Sequence, residues 1–437
     1  MDAEQTDIVV IGMGPGGEDA AGKLAAAGLR VTGVEARLVG GECPYWGCVP
    51  SKMMIRAANL LAEARRVPGM GGTSAVRPDW APVARRIRDE ATDSWNDKVA
   101  VDRFTGQGGH FLRGRARITG RCRVTVDTAD GPRAFVARRG VVIATGTEPA
   151  VPPIPGLAGT LYWPNREAIE TEQVPRSLIV LGGGAIGAEL AQVFARFGAR
   201  VTVVEALPRL LPLEEPEAGE LLAAVFTAEG IAVHTGARAG QVGHDGREFA
   251  VSLADGAVLT GERLLVATGR RADLAALGVG GYGLDETARA IGTDERMRAA
   301  DGLWAIGDIT GTAAFTHVAM YQSGIAVRDI LGQDGPAADY RAVPRVTFTD
   351  PEIGSVGRTE AEAREQGLAC GPASRSCPRR RAAGSTRPAT RGSSSSSRAP
   401  PAACWSVPLR PDRPAARCWG RSPSPCTDRF RSRTCGP

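Results

Sequence analysis

A chain of 437 residues with a formal net charge of +5 and nine cysteines is long enough for roughly two to four domains. Charge and cysteine are both concentrated at one end: residues 369–437 hold 14 Arg, no Lys, two acids (Asp412 and Asp428) and six of the nine Cys, a local charge of +12 that leaves −7 on residues 1–368. That distribution argues against a nucleic-acid surface on the body and against a disulfide-stapled secreted scaffold. No apolar run is long enough to span a bilayer, and the start Met1-Asp2-Ala3-Glu4-Gln5 is acidic and polar where a leader would be basic, so a cytoplasmic protein with no membrane partner is expected.

The first predicted elements are a buried strand over 7–11 (DIVVI), a Gly-rich turn running into an Ala-rich helix, and a second strand, LRVTGVE. Gly12, Gly14 and Gly17 stand in G-x-G-x-x-G spacing, and Glu35 closes the second strand 21 residues after Gly14. Glycines there permit a tight turn and close backbone approach to a pyrophosphate. The helix N-terminus then faces the phosphate charge, and the acid accepts hydrogen bonds from a ribose. Residues 79–100 carry Val83, Ile87, Ala91, Trp95 and Val99 on one face, which predicts a single amphipathic helix. Short strands come next between 117 and 143, in RVTVDT and AFVARRGVVIATG.

The βαβ pattern then repeats over 177–205, with Gly182, Gly184 and Gly187 in the same spacing and Glu205 again 21 residues after the middle glycine. Two such units imply two dinucleotides, a flavin held permanently and a nicotinamide that exchanges. VVIATG (141–146) and LLVATG (264–269) are near-copies. A buried strand with a turn would account for either alone. Duplication after each unit favours strand ends, at Thr145-Gly146 and Gly269, where backbone approaches a cofactor.

Cys43 and Cys48 lie between the two fingerprints, in GGECPYWGCVPSK. On spacing alone the pair reads more readily as two buried thiols. Beside a flavin, the same pair can take electrons as a disulfide and pass them on by thiol–disulfide exchange. Pro50 near the start of the next helix places the helix N-terminus toward Cys48, and Lys52 adds positive charge; both favour a thiolate.

Together GxGPGG, GGxCxxxxCxPSK, ATG, GGGxIGxE, ATGR (267–270) and LWAIGD (303–308) resemble the class I pyridine nucleotide–disulfide oxidoreductases, the family of dihydrolipoamide dehydrogenase, glutathione reductase and mercuric reductase, over roughly residues 5–368. The resemblance implies an α/β fold with two Rossmann-like domains, for FAD and NAD, plus an incomplete α+β dimerisation domain. It divides the chain into a first FAD-binding part (1–148), an NAD(P)-binding domain (149–270), a second FAD-binding part (271–336) and the start of a dimerisation domain (337–368). It further implies that Cys48 is the flavin-proximal thiol, that Cys43 exchanges with substrate, and that Lys52 lies near the flavin paired with Glu189. Asp308 would hold the ribityl chain, and Gly114 would join the cofactor-binding glycines. Thr316-His317-Val318-Ala319 stands where the family places a helix N-terminus at the flavin; for His317 a packing role is favoured over a base. No metal site is implied. Glu205, with no Arg at 206–208 and Arg209 displaced, favours NAD over NADP.

The insert Pro44-Tyr45-Trp46 departs from the Val/Asn-rich loop of the named enzymes and predicts a bulkier, stiffer disulfide loop, leaving open another thiol substrate, or quinones or oxygen. A mercuric reductase reading lacks an adjacent Cys pair near the end and an N-terminal metal-binding domain. The two main alternatives are therefore a disulfide/dithiol oxidoreductase and an FAD-dependent NADH oxidase or quinone reductase. A third, a basic-tailed interaction protein, is the least favoured.

After Leu368 the hydrophobic period stops and Arg, Ser, Pro, Ala and Cys dominate, which reads as a disordered tail. Reading codons from the third base of one residue and the first two of the next permits WIHKAGNEGFIKLVE across 384–398 and VLVGATSAGPAGGEVLGALAVAVH across 403–427. Both are strand- and helix-patterned, which predicts a one-base loss near residue 368. The family draws a His–Glu acid/base pair from the partner's dimerisation domain. A chain lacking that pair is expected to dimerise poorly, hold FAD weakly and keep mainly dye-reducing activity.

Overall fold

The computed structural model describes residues 3–368 and two short antiparallel strands, Pro372–Ser376 and Ser393–Ser397. The remaining expectations for the tail lie outside the described residues.

Burial on both faces makes Ile8–Ile11 and Val31–Val34 strands of a parallel sheet. That sheet runs in the spatial order Arg298–Ala300, Leu303–Ala305, Gly131–Ile143, Glu4–Ile11, Val31–Glu35, His110–Arg113, and the strands Arg115–Gly120 and Arg123–Thr128 extend it from Gly131–Ile143. The chain therefore leaves this sheet after Ile143 and rejoins it at Arg298–Ala300, the edge strand beside Leu303–Ala305, whose Leu303 pairs in parallel with Val141. The helix Thr316–Ile330 then packs on the helix Pro15–Ala26 so closely that a Cβ on Gly16 would lie 3.0 Å from the Ala319 carbonyl oxygen.

Between departure and return stands a second parallel sheet, ordered Ala232–Thr235, Arg200–Glu205, Ser177–Leu181, Arg263–Val266, with a three-stranded antiparallel meander over 239–261. The two connecting segments run side by side: Glu148–Pro149 pairs antiparallel with Arg270–Arg271, and Ala150 N donates to the Gly269 carbonyl at 2.9 Å.

Residues 79–100 do not form one helix. Ala81–Arg86 is α-helical, Ile87–Ala91 is a π-helical turn, and Lys98–Gly106 begins a new helix. The break has local causes. The Thr92 hydroxyl donates toward the Ile87 and Arg88 carbonyls, both 3.1 Å away, and Asp93, Ser94 and Trp95 all take positive φ. Asp97 turns inward to accept from Val39 N at 2.7 Å. Val83 and Ile87 are buried as the period predicts, but Val99 is 70 % exposed. What holds the segment down is Trp80, whose ring lies 5.5 Å from Phe194 and edge-on to Phe197 at 4.8 Å, contacts worth about 0.5–1.5 kcal/mol each beyond burial.

Beyond residue 337, a hairpin (Pro344–Thr347 with Ile353–Val356) and the helix Glu360–Glu365, opened by a Thr359/Glu362 capping box, are described. They are bound to the second sheet's domain through ion pairs: Arg345 with Glu214 at 2.7 Å, and Asp350 with Arg196 at 2.9 Å, the latter side chain only 3 % exposed. Among the described residues no helix is long and apolar enough to cross a membrane.

Candidate functional site

At the first fingerprint Gly12 has φ +89°, and a Cβ there would lie 2.6 Å from the Ala144 carbonyl oxygen. A Cβ on Gly17 would lie 2.0 Å from the Gly12 carbonyl oxygen. Sterics alone therefore demand glycine at both positions. The repeated A-T-G strand end, at Ala144-Thr145-Gly146, is thus pressed against the fingerprint turn itself. Glu35 fixes the turn from the other side, accepting from Met13 N at 2.8 Å and from Arg37 N at 2.7 Å. Gly114 N donates to the Glu35 carbonyl at 3.0 Å, and a Cβ on it would lie 2.5 Å from the Asp127 carbonyl oxygen. The helix Pro15–Ala26 starts from Gly14 without a side-chain cap, so its first N–H groups face a turn made of glycine. A dinucleotide pyrophosphate fits that cradle.

The second fingerprint repeats this geometry. Gly182 has φ +107° and would bring a Cβ to 2.4 Å from the Ala267 carbonyl oxygen; a Cβ on Gly187 would lie 2.0 Å from that of Gly182. Glu205 accepts from Gly183 N and Leu207 N, both at 2.7 Å. Gly184 opens the next helix uncapped, and Gly269 closes the strand end at φ +129°. Arg209 turns into its own loop, donating to the Pro212 carbonyl at 3.0 Å and the Glu214 carbonyl at 3.3 Å.

The cysteines are carried to the first cradle by a two-glycine turn. Gly40 N donates to the Met13 carbonyl at 2.7 Å, and Gly41, at φ +63°, lies so close that a Cβ would be 2.9 Å from Gly14 Cα. A short helix, Glu42–Tyr45, comes next, and after Gly47 the helix Cys48–Arg66 begins at Cys48 itself. Both thiols are free and share a hydrogen bond. That bond from Cys43 is the main reason the Cys48 pKa falls to about 6; the Thr316 hydroxyl, 3.6 Å from the sulfur, and the Lys52 charge lower it further. Cys43 shifts the opposite way because the shared proton stays on it, and burial adds to the rise. The opposite directions of the two shifts favour a thiolate at 48 beside a thiol at 43.

Lys52 Nζ lies 2.9 Å from Glu189 Oε2, the pairing that the resemblance implies. Glu189 is 7 % exposed, and its other oxygen accepts from Phe348 N at 2.9 Å, while the Phe348 ring lies 4.4 Å from Lys52 Nζ. Asp308 opens a short turn after the strand Leu303–Ala305; burial raises its pKa against the opposing pull of Arg270 and a 3.5 Å contact from the Thr147 hydroxyl. The His317 ring stacks on Phe315 at 5.3 Å.

Sequence reasoning placed Thr316 in the segment expected at the flavin but missed its contact with Cys48, and it missed Glu42. Thr316 opens its helix 268 positions after Cys48, and no local pattern signals that approach. Glu42 accepts from Arg166 Nε at 2.7 Å and Asn165 Nδ2 at 3.0 Å, across the domain junction. The insert is also directed differently from a substrate-facing loop: Tyr45 is buried, and the Trp46 indole N–H donates to Glu170 at 2.5 Å.

Residues 6–323 match the pyridine nucleotide-disulphide oxidoreductase family, and residues 343–384 match its dimerisation domain. The chain belongs to this family. It is similar to the dihydrolipoyl dehydrogenase of Chlorobaculum tepidum, at 36 % identity over 369 residues covering 83 % of this chain and 78 % of that protein. It is also similar to the mercuric reductase of Shigella flexneri, at 38 % over 373 residues covering 83 % and 65 %. Among solved structures, the HOCl-induced flavoprotein disulfide reductase RclA of Escherichia coli superposes with a TM-score of 0.76 at 28 % identity, covering 90 % of this chain and 86 % of that one. LpdA of Mycobacterium tuberculosis gives 0.75 at 27 %, covering 85 % and 82 %. As a family member the chain is an FAD-dependent oxidoreductase that passes electrons between NAD(P)H and a disulfide or dithiol through the Cys43–Cys48 pair. It carries the family's dimerisation domain in part.

Proposed function

We propose that this chain is an NADH-dependent, dihydrolipoamide dehydrogenase-like enzyme acting on a small or protein-bound disulfide/dithiol. In this reading Cys48 is the thiol next to the flavin, Cys43 the exchanging thiol, and Lys52 and Glu189 their electrostatic support. Gly12, Gly14, Gly17, Glu35, Gly114, Thr145, Gly146 and Asp308 would hold FAD; Gly182, Gly184, Gly187, Glu205 and Gly269 would hold NAD. A bound flavin supplies the two-electron link between nicotinamide and the dithiol.

The observation that carries the reading is the delivery of both thiols to the first glycine cradle by the Gly40-Gly41 turn, with the Thr316 hydroxyl 3.6 Å from the Cys48 sulfur. The two thiols also shift in opposite directions, Cys48 down and Cys43 up. In the exchange, the Cys43 sulfur attacks a substrate disulfide and forms a mixed disulfide, and its proton ends on the expelled substrate sulfur, which leaves as a thiol. The Cys48 thiolate then attacks Cys43, expels the second substrate sulfur as a thiolate and closes the Cys43–Cys48 bond. One disulfide is reduced and one dithiol oxidised. Glu205 supports NADH, because a carboxylate at that strand end repels a 2′-phosphate and Arg209 is spent on its own loop. The family homodimer is the assembly this reading calls for, and this chain is expected to form it poorly.

The test is Cys43→Ser in the flavin-loaded protein, assayed with NADH against lipoamide, glutathione disulfide, quinones and a dye. Disulfide turnover, already slow in a chain without the partner's acid/base pair, is expected to disappear while dye reduction persists. Little disulfide turnover in the wild type, with quinone or oxygen turnover unchanged in Cys43→Ser, would instead favour the NADH oxidase or quinone reductase reading.

A further inference from the structure

The Pro44-Tyr45-Trp46 insert does not face open space. Both ends of the redox loop are fastened to one helix, Asn165–Glu170, in the nicotinamide-binding half. Before Cys43, the Glu42 carboxylate accepts from Arg166 and from Asn165 Nδ2 at 3.0 Å, and Arg270 Nη1 lies 3.9 Å away. Before Cys48, Trp46 is held three ways. Its indole N–H donates to Glu170 Oε1 at 2.5 Å, its carbonyl accepts from Asn165 Nδ2 at 3.0 Å, and the Arg166 guanidinium lies over its ring at 4.8 Å. Gly47 alone separates this anchor from Cys48.

We infer that Trp46, with its acceptor Glu170, is a positioning residue that keeps the Cys43 and Cys48 sulfurs in contact and so sets the redox equilibrium of the pair. The inference rests on the proposed redox role of that pair. Closing a disulfide costs the entropy of bringing two thiols together, and a loop already pinned at both ends has little of it left to lose. Releasing one end lowers the effective concentration of one thiol at the other. The disulfide then becomes easier to reduce.

The reaction that reads this is reduction by glutathione. Two glutathione thiols give two electrons, the Cys43–Cys48 bond breaks, and glutathione disulfide forms. One proton passes to Cys43 and the other to solvent, since Cys48 stays ionised at pH 7. Flavin-loaded wild type, Trp46→Phe, Glu170→Ala and Glu170→Gln are equilibrated in glutathione buffers at pH 7, quenched by alkylation and weighed. Glu170 is exposed, so its variants test the contact without opening the core.

Trp46→Phe and Glu170→Ala are each expected to raise the equilibrium constant for reduction about three- to tenfold, the loss of one charge-assisted hydrogen bond at a part-exposed site, equivalent to about 15–30 mV. Glu170→Gln keeps an acceptor and should stay within about twofold of wild type. No shift in Trp46→Phe, a shift toward the disulfide, or equal shifts in Glu170→Ala and Glu170→Gln would overturn the inference while leaving the proposed function intact. A wild-type chain that never forms the Cys43–Cys48 bond would overturn both.

Discussion

The two nucleotide cradles are nearly superimposable in their local rules and differ in the loop that leads away from each. Gly12 and Gly182 press on the carbonyls of Ala144 and Ala267, Gly17 and Gly187 press on Gly12 and Gly182, and Glu35 and Glu205 each clamp two backbone N–H groups. After Glu35 the chain runs through Gly40-Gly41 back onto Met13 and Gly14, delivering two thiols to the first cradle. After Glu205 it curls on itself, with Arg209 capping its own loop. The duplicated turn thus sets what can bind, and the non-duplicated loop beyond each acid sets what happens there.

The largest expected effects come from breaking one cradle at a time. Gly17→Val should abolish flavin retention, read as absorbance of the flavin band after gel filtration. Gly187→Val should keep flavin yet slow its reduction by NADH about hundredfold in a stopped flow, as expected for a forced clash with a carbonyl. Equal flavin loss in both variants would erase the assigned difference. Next in size, Glu205→Gln should lower the NADH/NADPH ratio of kcat/KM about tenfold, the scale of one charge-assisted hydrogen bond. Glu35→Gln should weaken FAD binding and leave that ratio unchanged.

Smaller effects concern the thiols that distinguish the first cradle. In reduced wild type, alkylation of Cys48 by iodoacetamide should rise with pH through about 6, since its thiolate forms above that value. Thr316→Val removes a donor to the thiolate and should move the midpoint up by about one unit, with Thr316→Ser restoring it. Lys52→Met should move it the same way by less, because the ammonium is part-exposed and its field is screened. A midpoint unmoved by both would mean that the hydrogen bond from Cys43 alone sets it.

Much of this is legible in the sequence, because it is encoded locally. Fingerprint spacing fixes that Gly17 meets the Gly12 carbonyl and Gly187 that of Gly182, the paired acids stand at a constant distance along each unit, and the repeated A-T-G strand ends mark the more distant partners of Gly12 and Gly182. The Lys52–Glu189 pair is reachable only through resemblance, since 137 positions separate the partners. Thr316 at Cys48 and Arg166 at Glu42 are not legible: each contact crosses between elements that share no periodicity. The 79–100 segment shows the opposite failure. Its apolar period is real at Val83 and Ile87, yet Thr92 and three positive-φ residues end the helix before Val99 could be buried. Trp46 stands out in the sequence, but its bulk points to the substrate there, when its N–H is in fact committed to Glu170.

The antiparallel pairing of Glu148–Pro149 with Arg270–Arg271 places the outgoing and returning chain in adjacent positions. Everything from Ala150 to Gly269 is in effect an insert with touching ends, and could be exchanged as a cassette without stretching the host backbone. The graft would still have to match a shape, because Met54, Ala58 and Trp80 of the host share one apolar core with Phe194 and Phe226 of the insert. Continuity of the backbone permits the swap, and that shared core decides which donors the scaffold accepts.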